Sequence, residues 1–403
     1  FIVVGVLTFL VSENYLRDER MEHGEYHALV LLALVGMMFM ASATHLLMFF
    51  VALETMSIAI YALAGYLRTK EGVESSFKYF LLGGFSSAFF LYGTALVYGA
   101  TGTTQIHELA RFFHEQAEVA RSPMLLTGIA LLLVGFGFKI AAFPFHVWTP
   151  DVYQGAPTSV TAFMATGVKA AAFAALFRVF VTAFPAASPV WGQMLWILSV
   201  ATMTMGNFAA LAQMDVKRML AYSSIAHAGY LLVGVVTGTA EAGTGVLFYL
   251  LTYAFMNIGA FSCVIMIGRR GNDATSLDDY AGLGFKFPFL SAALCIFMLS
   301  MAGIPPTAGF IGKFLVFKAA VNEGYYWLTI LGVLNSAASV YYYLRVIVYL
   351  YFRERPEGAP ATGLRTSATS NLATAFAVAA ILLLGVMPGA VMELAAAAAA
   401  SMF

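Results

Sequence analysis

The sequence has 403 residues, 61% of them apolar and 10% charged, where a soluble domain carries about 25% charged residues; a water-soluble globule is excluded. The 21 basic and 21 acidic residues cancel, so no global field gathers nucleic acid or an anionic surface. The two cysteines, Cys263 and Cys295, lie inside apolar runs and are too few for a cysteine-held iron–sulfur cluster.

In chain order, the apolar runs predict an all-α polytopic membrane protein with about twelve crossings, each near the ~20 residues that a ~30 Å hydrocarbon layer requires. The first, 1–12, opens on Phe1 in mid-run and reads as the remainder of a truncated helix. The others are 27–44, 45–67, 77–99, 123–145, 156–184, 191–213, 217–237, 241–268, 288–321, 325–351 and 372–394. The alternating ~10-residue segments of a β-barrel are not found.

Basic residues in the connectors test this count. One side carries Arg17, Arg20, Arg68, Lys70, Lys217, Arg218, Arg269, Arg270, Lys286, Arg353, Arg355 and Arg365, and the other only Arg111 and Arg121. The basic side is expected to be cytoplasmic, which puts the C-terminus on the far side. The connector 101–122, with His107, Glu108, Arg111, His114, Glu115 and Glu118, reads as an interfacial helix without chemistry.

Lys78, Arg178, Lys318 and Arg345 lie near span ends, where long side chains reach the headgroups. Lys139, Lys169 and Lys313 lie too deep for that, and a mid-bilayer charge costs between ~3 and over 10 kcal/mol. Glu54, in the run Leu46 to Thr55, is the acidic residue nearest a span centre. A buried Glu54–lysine pair could serve packing alone. It could also act as a proton switch, because burial and the partner's charge push proton affinity in opposite directions and a change in separation moves the proton.

Two spans are interrupted at membrane depth, each beside a lysine. Gly135 and Gly137 precede Lys139 and Pro144 follows it; Gly303, Pro305 and Pro306 precede Lys313. Backbone groups freed at such breaks are tolerated only against protein or a hydrated cavity. The interrupted span is fourth in each of two five-span units, 27–184 and 185–351, which predicts a duplication with inverted topology. The flanks are 1–26, the truncated helix and its connector, and 352–403, a connector and the C-terminal helix. In this register Lys139 matches Lys313, and Glu54 falls opposite the neighbourhood of His227. His146, directly after the first break, and His227 are candidate proton relays or, equally, packing histidines. Neither a nucleotide fingerprint nor a metal-ligand cluster is present.

The stretch Gly137 to Pro157, with Lys139, His146 and Asp151, closely resembles the antiporter-like membrane subunits of proton-pumping NADH:quinone oxidoreductase, respiratory complex I. Ala52-Leu53-Glu54, Asp215 to His227, Ala302 to Pro305 with Gly309 to Phe314, and Tyr341 to Val346 extend the resemblance over nearly the whole chain. It is strongest to the subunit N group, and Lys313 at the second break favours that group or its relative M. The resemblance implies fourteen helices in the complete family fold and two inverted repeats. It implies proton transfer by Glu54, Lys139, Lys169 and Lys313, with His146 and His227 on a hydrated axis and less settled roles for Lys78 and Lys217. It further implies no redox centre in this chain: NADH, FMN, iron–sulfur clusters and quinone belong to partner subunits. The implied partners are a neighbouring antiporter-like subunit and small membrane subunits, and the implied location is a bacterial inner membrane. A subunit of a stand-alone cation/proton antiporter and a non-conducting scaffold are the alternatives.

Overall fold

The computed structural model describes residues 1–116, 119, 122–268, 271, 273–355 and 364–401. Arg121, Arg269 and Arg270, which entered the charge count, lie outside the described residues, as do Glu118 and the side chain of His114 from the connector 101–122.

The long elements are α1 (Ile2–Glu19), α2 (Gly24–Ser42), α3 (Leu46–Ala64), α4 (Lys70–Thr101), α5 (Ile106–Glu115), α6 (Pro123–Ile140), α7 (Thr149–Gly155) and α8 (Thr158–Ala183). They continue as α9 (Ser188–Leu211), α10 (Val216–Thr237), α11 (Ala240–Ile267), α12 (Pro288–Ala302), α13 (Ala308–Asn322), α14 (Tyr326–Phe352), α15 (Ala368–Val386) and α16 (Gly389–Ala400). Among the described residues 10 helices are long and apolar enough to cross a membrane, and each overlaps an expected span. The expected span 288–321 is present as two half-helices, α12 and α13, parted at Gly303 to Thr307. Likewise α6 stops at Ile140, and the chain reaches α8 through a turn and the short α7.

Polar residues mark the helix starts. The side chains of Thr69, Asp215, Thr239 and Ser367 accept the first free backbone N–H groups of α4, α10, α11 and α15, satisfying donors that lipid could not. Gly102 and Gly238 end α4 and α10 at φ 76° and 67°, a left-handed conformation that glycine adopts without strain. Helices α8, α10 and α11 are buried nearly all round and form the centre of the bundle, while α14 and α15 lie at its rim.

Side-chain contacts separate two ends. At one, Arg365 bonds Glu19 at 2.9 Å, Arg218 bonds Asp151 at 2.9 Å and Lys78 bonds Asp151 at 3.0 Å, joining the connectors that the charge count grouped as cytoplasmic. At the other, Lys318 pairs with Glu241 at 3.0 Å, and the backbone forms an antiparallel bridge between His45 and Gln105.

Two expectations are corrected. Lys217, counted with the connectors, lies in the first turn of α10 and is 2% exposed, and Arg365, which does lie in a connector, is 8% exposed, since each finds a carboxylate that offsets its burial. The last span does not run through 372–394: α15 stops at Val386, Pro388 interrupts it, and α16 begins at Gly389. Within the expected span 156–184, α8 contains π-turns at Met164–Val168 and Arg178–Ala183, a feature not read from the sequence.

At the crossing of α9 and α10, a Cβ on Gly206 would meet the Ala226 nitrogen at 2.6 Å, and one on Gly229 the Met203 nitrogen at 2.5 Å. Small residues set this backbone approach. Gly206→Val is therefore expected to cost at least about 1–3 kcal/mol by overpacking, read as a lowered thermal midpoint of the detergent-solubilised protein.

Candidate functional site

The first break builds a cage. Ala141, at φ 60°, ends α6, which frees carbonyls of the last turn. Trp148 donates its Nε1–H to the Phe138 carbonyl at 3.1 Å and stacks on Tyr79 with ring centroids 4.3 Å apart. The Lys139 ammonium, buried among these rings, lies 5.2 Å from the centroid of Tyr79 and 5.4 Å from that of Tyr61. Aromatic faces attract a desolvated cation. Among the described residues Lys139 Nζ has no hydrogen-bond partner.

Glu54, on α3, is half-buried and accepts a hydrogen bond from Ser87 Oγ on α4. It lies within electrostatic range of both Lys139 and Tyr61. Glu54 and Lys139 are neighbours without an ion pair.

Lys169 sits where the first π-turn of α8 returns to α-helix, 2% exposed. Its ammonium donates to both the carbonyl and the hydroxyl of Ser224 on α10 and lies 5.6 Å from the Tyr253 centroid. Three residues on, His227 is held on both ring nitrogens: Nδ1 lies 2.7 Å from the Tyr249 hydroxyl and Nε2 3.0 Å from that of Tyr343. The Tyr343 hydroxyl also bonds Ser223.

The second break supplies acceptors. Gly303, at φ 85°, ends α12, and Lys313 Nζ reaches across to the carbonyls of Met301 at 2.9 Å and Ala302 at 3.1 Å. It also bonds Ser336 Oγ at 2.8 Å and lies 5.0 Å from the Tyr230 centroid. The Tyr230 ring stands edge-on to His227, centroids 5.7 Å apart. Lys169 with Ser224, and His227 with its tyrosines beside Lys313 and Tyr230, thus lie close together along α10. Among the described residues no carboxylate lies within ion-pair distance of Lys139, Lys169 or Lys313.

Other candidates lie elsewhere. His146 is on the turn after α6 with its ring 5.4 Å from Phe143, and its Nδ1 is unpartnered among the described residues; no bond joins it to Lys139 or Lys169 there. Lys78 is at the basic end, 2.6 Å from Glu74 and 3.0 Å from Asp151. Lys217 is also at that end, against Asp273. Arg178 donates to the Ala41 carbonyl and Arg345 to those of Leu211 and Gln213, so both cap neighbouring helices. The serine and tyrosine hydroxyls that link the lysines were missed. Their signal in the sequence is the density of tyrosine in apolar helices, including Tyr341-Tyr342-Tyr343. No group of three or more His, Cys, Asp or Glu able to hold a metal occurs among the described residues.

The family model described as NADH:quinone oxidoreductase/Mrp antiporter, TM, matches residues 43–339. The NADH-quinone oxidoreductase subunit N of Trichlorobacter lovleyi is 52% identical over 98% of this chain and 81% of its own length. A chain of respiratory complex I from Thermus thermophilus is 41% identical with a TM-score of 0.79, covering 97% of this chain and 86% of its own. A chain of the Mrp complex from Dietzia sp. shares the fold at 24% identity and a TM-score of 0.86, covering 99% of this chain and 82% of its own.

Trp148→Phe keeps the stack and removes the donor to the buried Phe138 carbonyl. It is expected to cost about 1–3 kcal/mol, measured as a fall in thermal midpoint; an unchanged midpoint would show that the donor holds nothing.

Proposed function

The chain belongs to the NADH:quinone oxidoreductase/Mrp antiporter family of membrane subunits, in its NADH-quinone oxidoreductase subunit N group, and from that membership we propose that it carries protons along its buried lysine axis, driven by quinone reduction in partner subunits. The observation that carries the reading is the placing along α10 of two hydrogen-bonded groups three residues apart, Lys169 on Ser224 and His227 between the Tyr249 and Tyr343 hydroxyls, with Lys313 next to them against the Tyr230 ring. An imidazole with a hydroxyl on each nitrogen can take a proton on one side and release one on the other. The lysines store and pass protons, held by carbonyls, hydroxyls and rings rather than by carboxylates that would fix their charge.

In this reading Glu54 and Lys139 are the switch. Their closeness without an ion pair suits a pair whose separation changes during turnover. Lys169 is the connecting carrier, Lys313 the exit carrier, and His227 the relay between them. His146 and Lys78 are at most auxiliary, since both lie apart from these groups. The units 27–184 and 185–351 act as inverted repeats, with the two breaks at Lys139 and Lys313 in matching places. The chain works in a bacterial inner membrane with its C-terminus on the non-cytoplasmic side, beside another antiporter-like subunit and small membrane subunits. NADH, flavin, iron–sulfur clusters and quinone are held by partner subunits. A stand-alone cation/proton antiporter is less favoured, because the likeness to the Mrp chain is one of fold.

Lys139→Ala in the assembled complex is expected to lower NADH-driven proton pumping in vesicles, together with quinone-linked turnover, by at least about tenfold. NADH oxidation by artificial acceptors should stay at the parental rate. Parental pumping would make the subunit a scaffold.

A further inference from the structure

At the basic end of the bundle, outside the lysine axis, lies a fourth buried lysine, and this one does have a carboxylate. Lys217, in the first turn of α10, is 2% exposed. Its ammonium donates to the Ala156 carbonyl at 2.8 Å and lies 3.4 Å from Asp273 Oδ2. Asp273 comes from the connector between α11 and α12, and its carboxylate also accepts from Thr158 Oγ1 at the start of α8 and from the Tyr15 hydroxyl at 3.2 Å.

The pair forms part of the wall of a hollow of about 260 Å³ whose other polar walls include Glu19, Glu71 and Gln154. A second hollow of about 270 Å³ shares Glu71, Gln154 and Gly155 with it. This end of the bundle thus offers polar space large enough for several waters, at ~30 Å³ each, leading to an otherwise sealed ammonium. Inward from Lys217, Ser224 follows seven residues later on α10. Two helical turns, about 10 Å, separate them on one face. Ser224 is the residue that Lys169 grips, and the Tyr153 side chain from α7 is within its reach.

We propose that Asp273 and Lys217 are the port through which protons enter the lysine axis from the basic side, Asp273 collecting a proton from the hollow and Lys217 passing one inward toward Ser224 and Lys169. Each step moves one proton between a donor and an acceptor: Lys217 releases its proton inward and is reprotonated from Asp273, which is recharged from water. The inference rests on the reading of the axis as a proton path. A bare clamp holding α1, α8 and α10 to the connector would make the same contacts, so the test must tell a fixed charge from a movable proton.

Lys217→Arg does so, because guanidinium keeps the positive charge and the donors yet does not release a proton in proteins. In the assembled complex it is expected to lower NADH-driven pumping by at least about tenfold, with artificial-acceptor activity unchanged. Asp273→Asn should slow pumping similarly and be partly restored by added formate, a small weak acid able to enter the hollow. Parental pumping in both variants, with pumping lost in Lys139→Ala, would overturn the port and leave the axis standing. Parental pumping in all three would overturn the axis itself. Failure of both port variants to assemble, or loss in Asp273→Asn that formate never relieves while Lys217→Arg pumps normally, would make the pair a clamp and end the proposal.

Discussion

Three ammonium groups buried at membrane depth, with no carboxylate in ion-pair reach among the described residues, are the constraint around which this bundle is built. Each must recover, from other groups, much of the hydration it loses, a cost between ~3 and over 10 kcal/mol for an unsupported charge. The structure answers each one differently. Lys313 takes the carbonyls that the broken helix leaves unbonded, Lys169 takes the carbonyl and hydroxyl of Ser224, and Lys139 takes ring faces. A helix break is therefore not a defect beside Lys313 but its ligand, since an unbroken α12–α13 would have spent those carbonyls on its own backbone.

Four cations outside the axis are tied down by carboxylates. The ion pairs of Arg218 and Lys78 with Asp151, of Arg365 with Glu19 and of Lys318 with Glu241 lie at the two ends of the helices. There they tie connectors and helix ends together, away from the three lysines of the axis. Small residues do the packing between, as at Gly206 and Gly229. A bundle locked at its ends and by close backbone crossings can hold reactive lysines in its middle without depending on them for stability.

Much of this was legible in the sequence. Span length and connector charge gave the crossings, and glycine and proline beside lysine located both breaks, because those residues act on the backbone locally. Lys139, Lys169 and Lys313 were legible because their cost in hydrocarbon has no cheap explanation. The hydroxyl partners were not. Tyr249 and Tyr343 look like ordinary helix residues until their helices bring both hydroxyls to His227, as does Ser224 until α8 brings Lys169 against it. Lys217 and Arg365 were read as connector charges, since the carboxylates that bury them come from Asp273 and Glu19, remote in the chain. The π-turn that ends at Lys169 also has no local signature, because an extra residue in a turn is absorbed by neighbours rather than encoded beside it.

The central claim is that protons, and not merely charge, move through Lys169. The direct measurement is the number of protons pumped per NADH oxidised in vesicles containing the assembled complex with Lys169→Arg, which keeps a cation against Ser224 but holds its proton. The account expects quinone-linked turnover and proton yield to collapse together. A parental proton yield at parental turnover would contradict it.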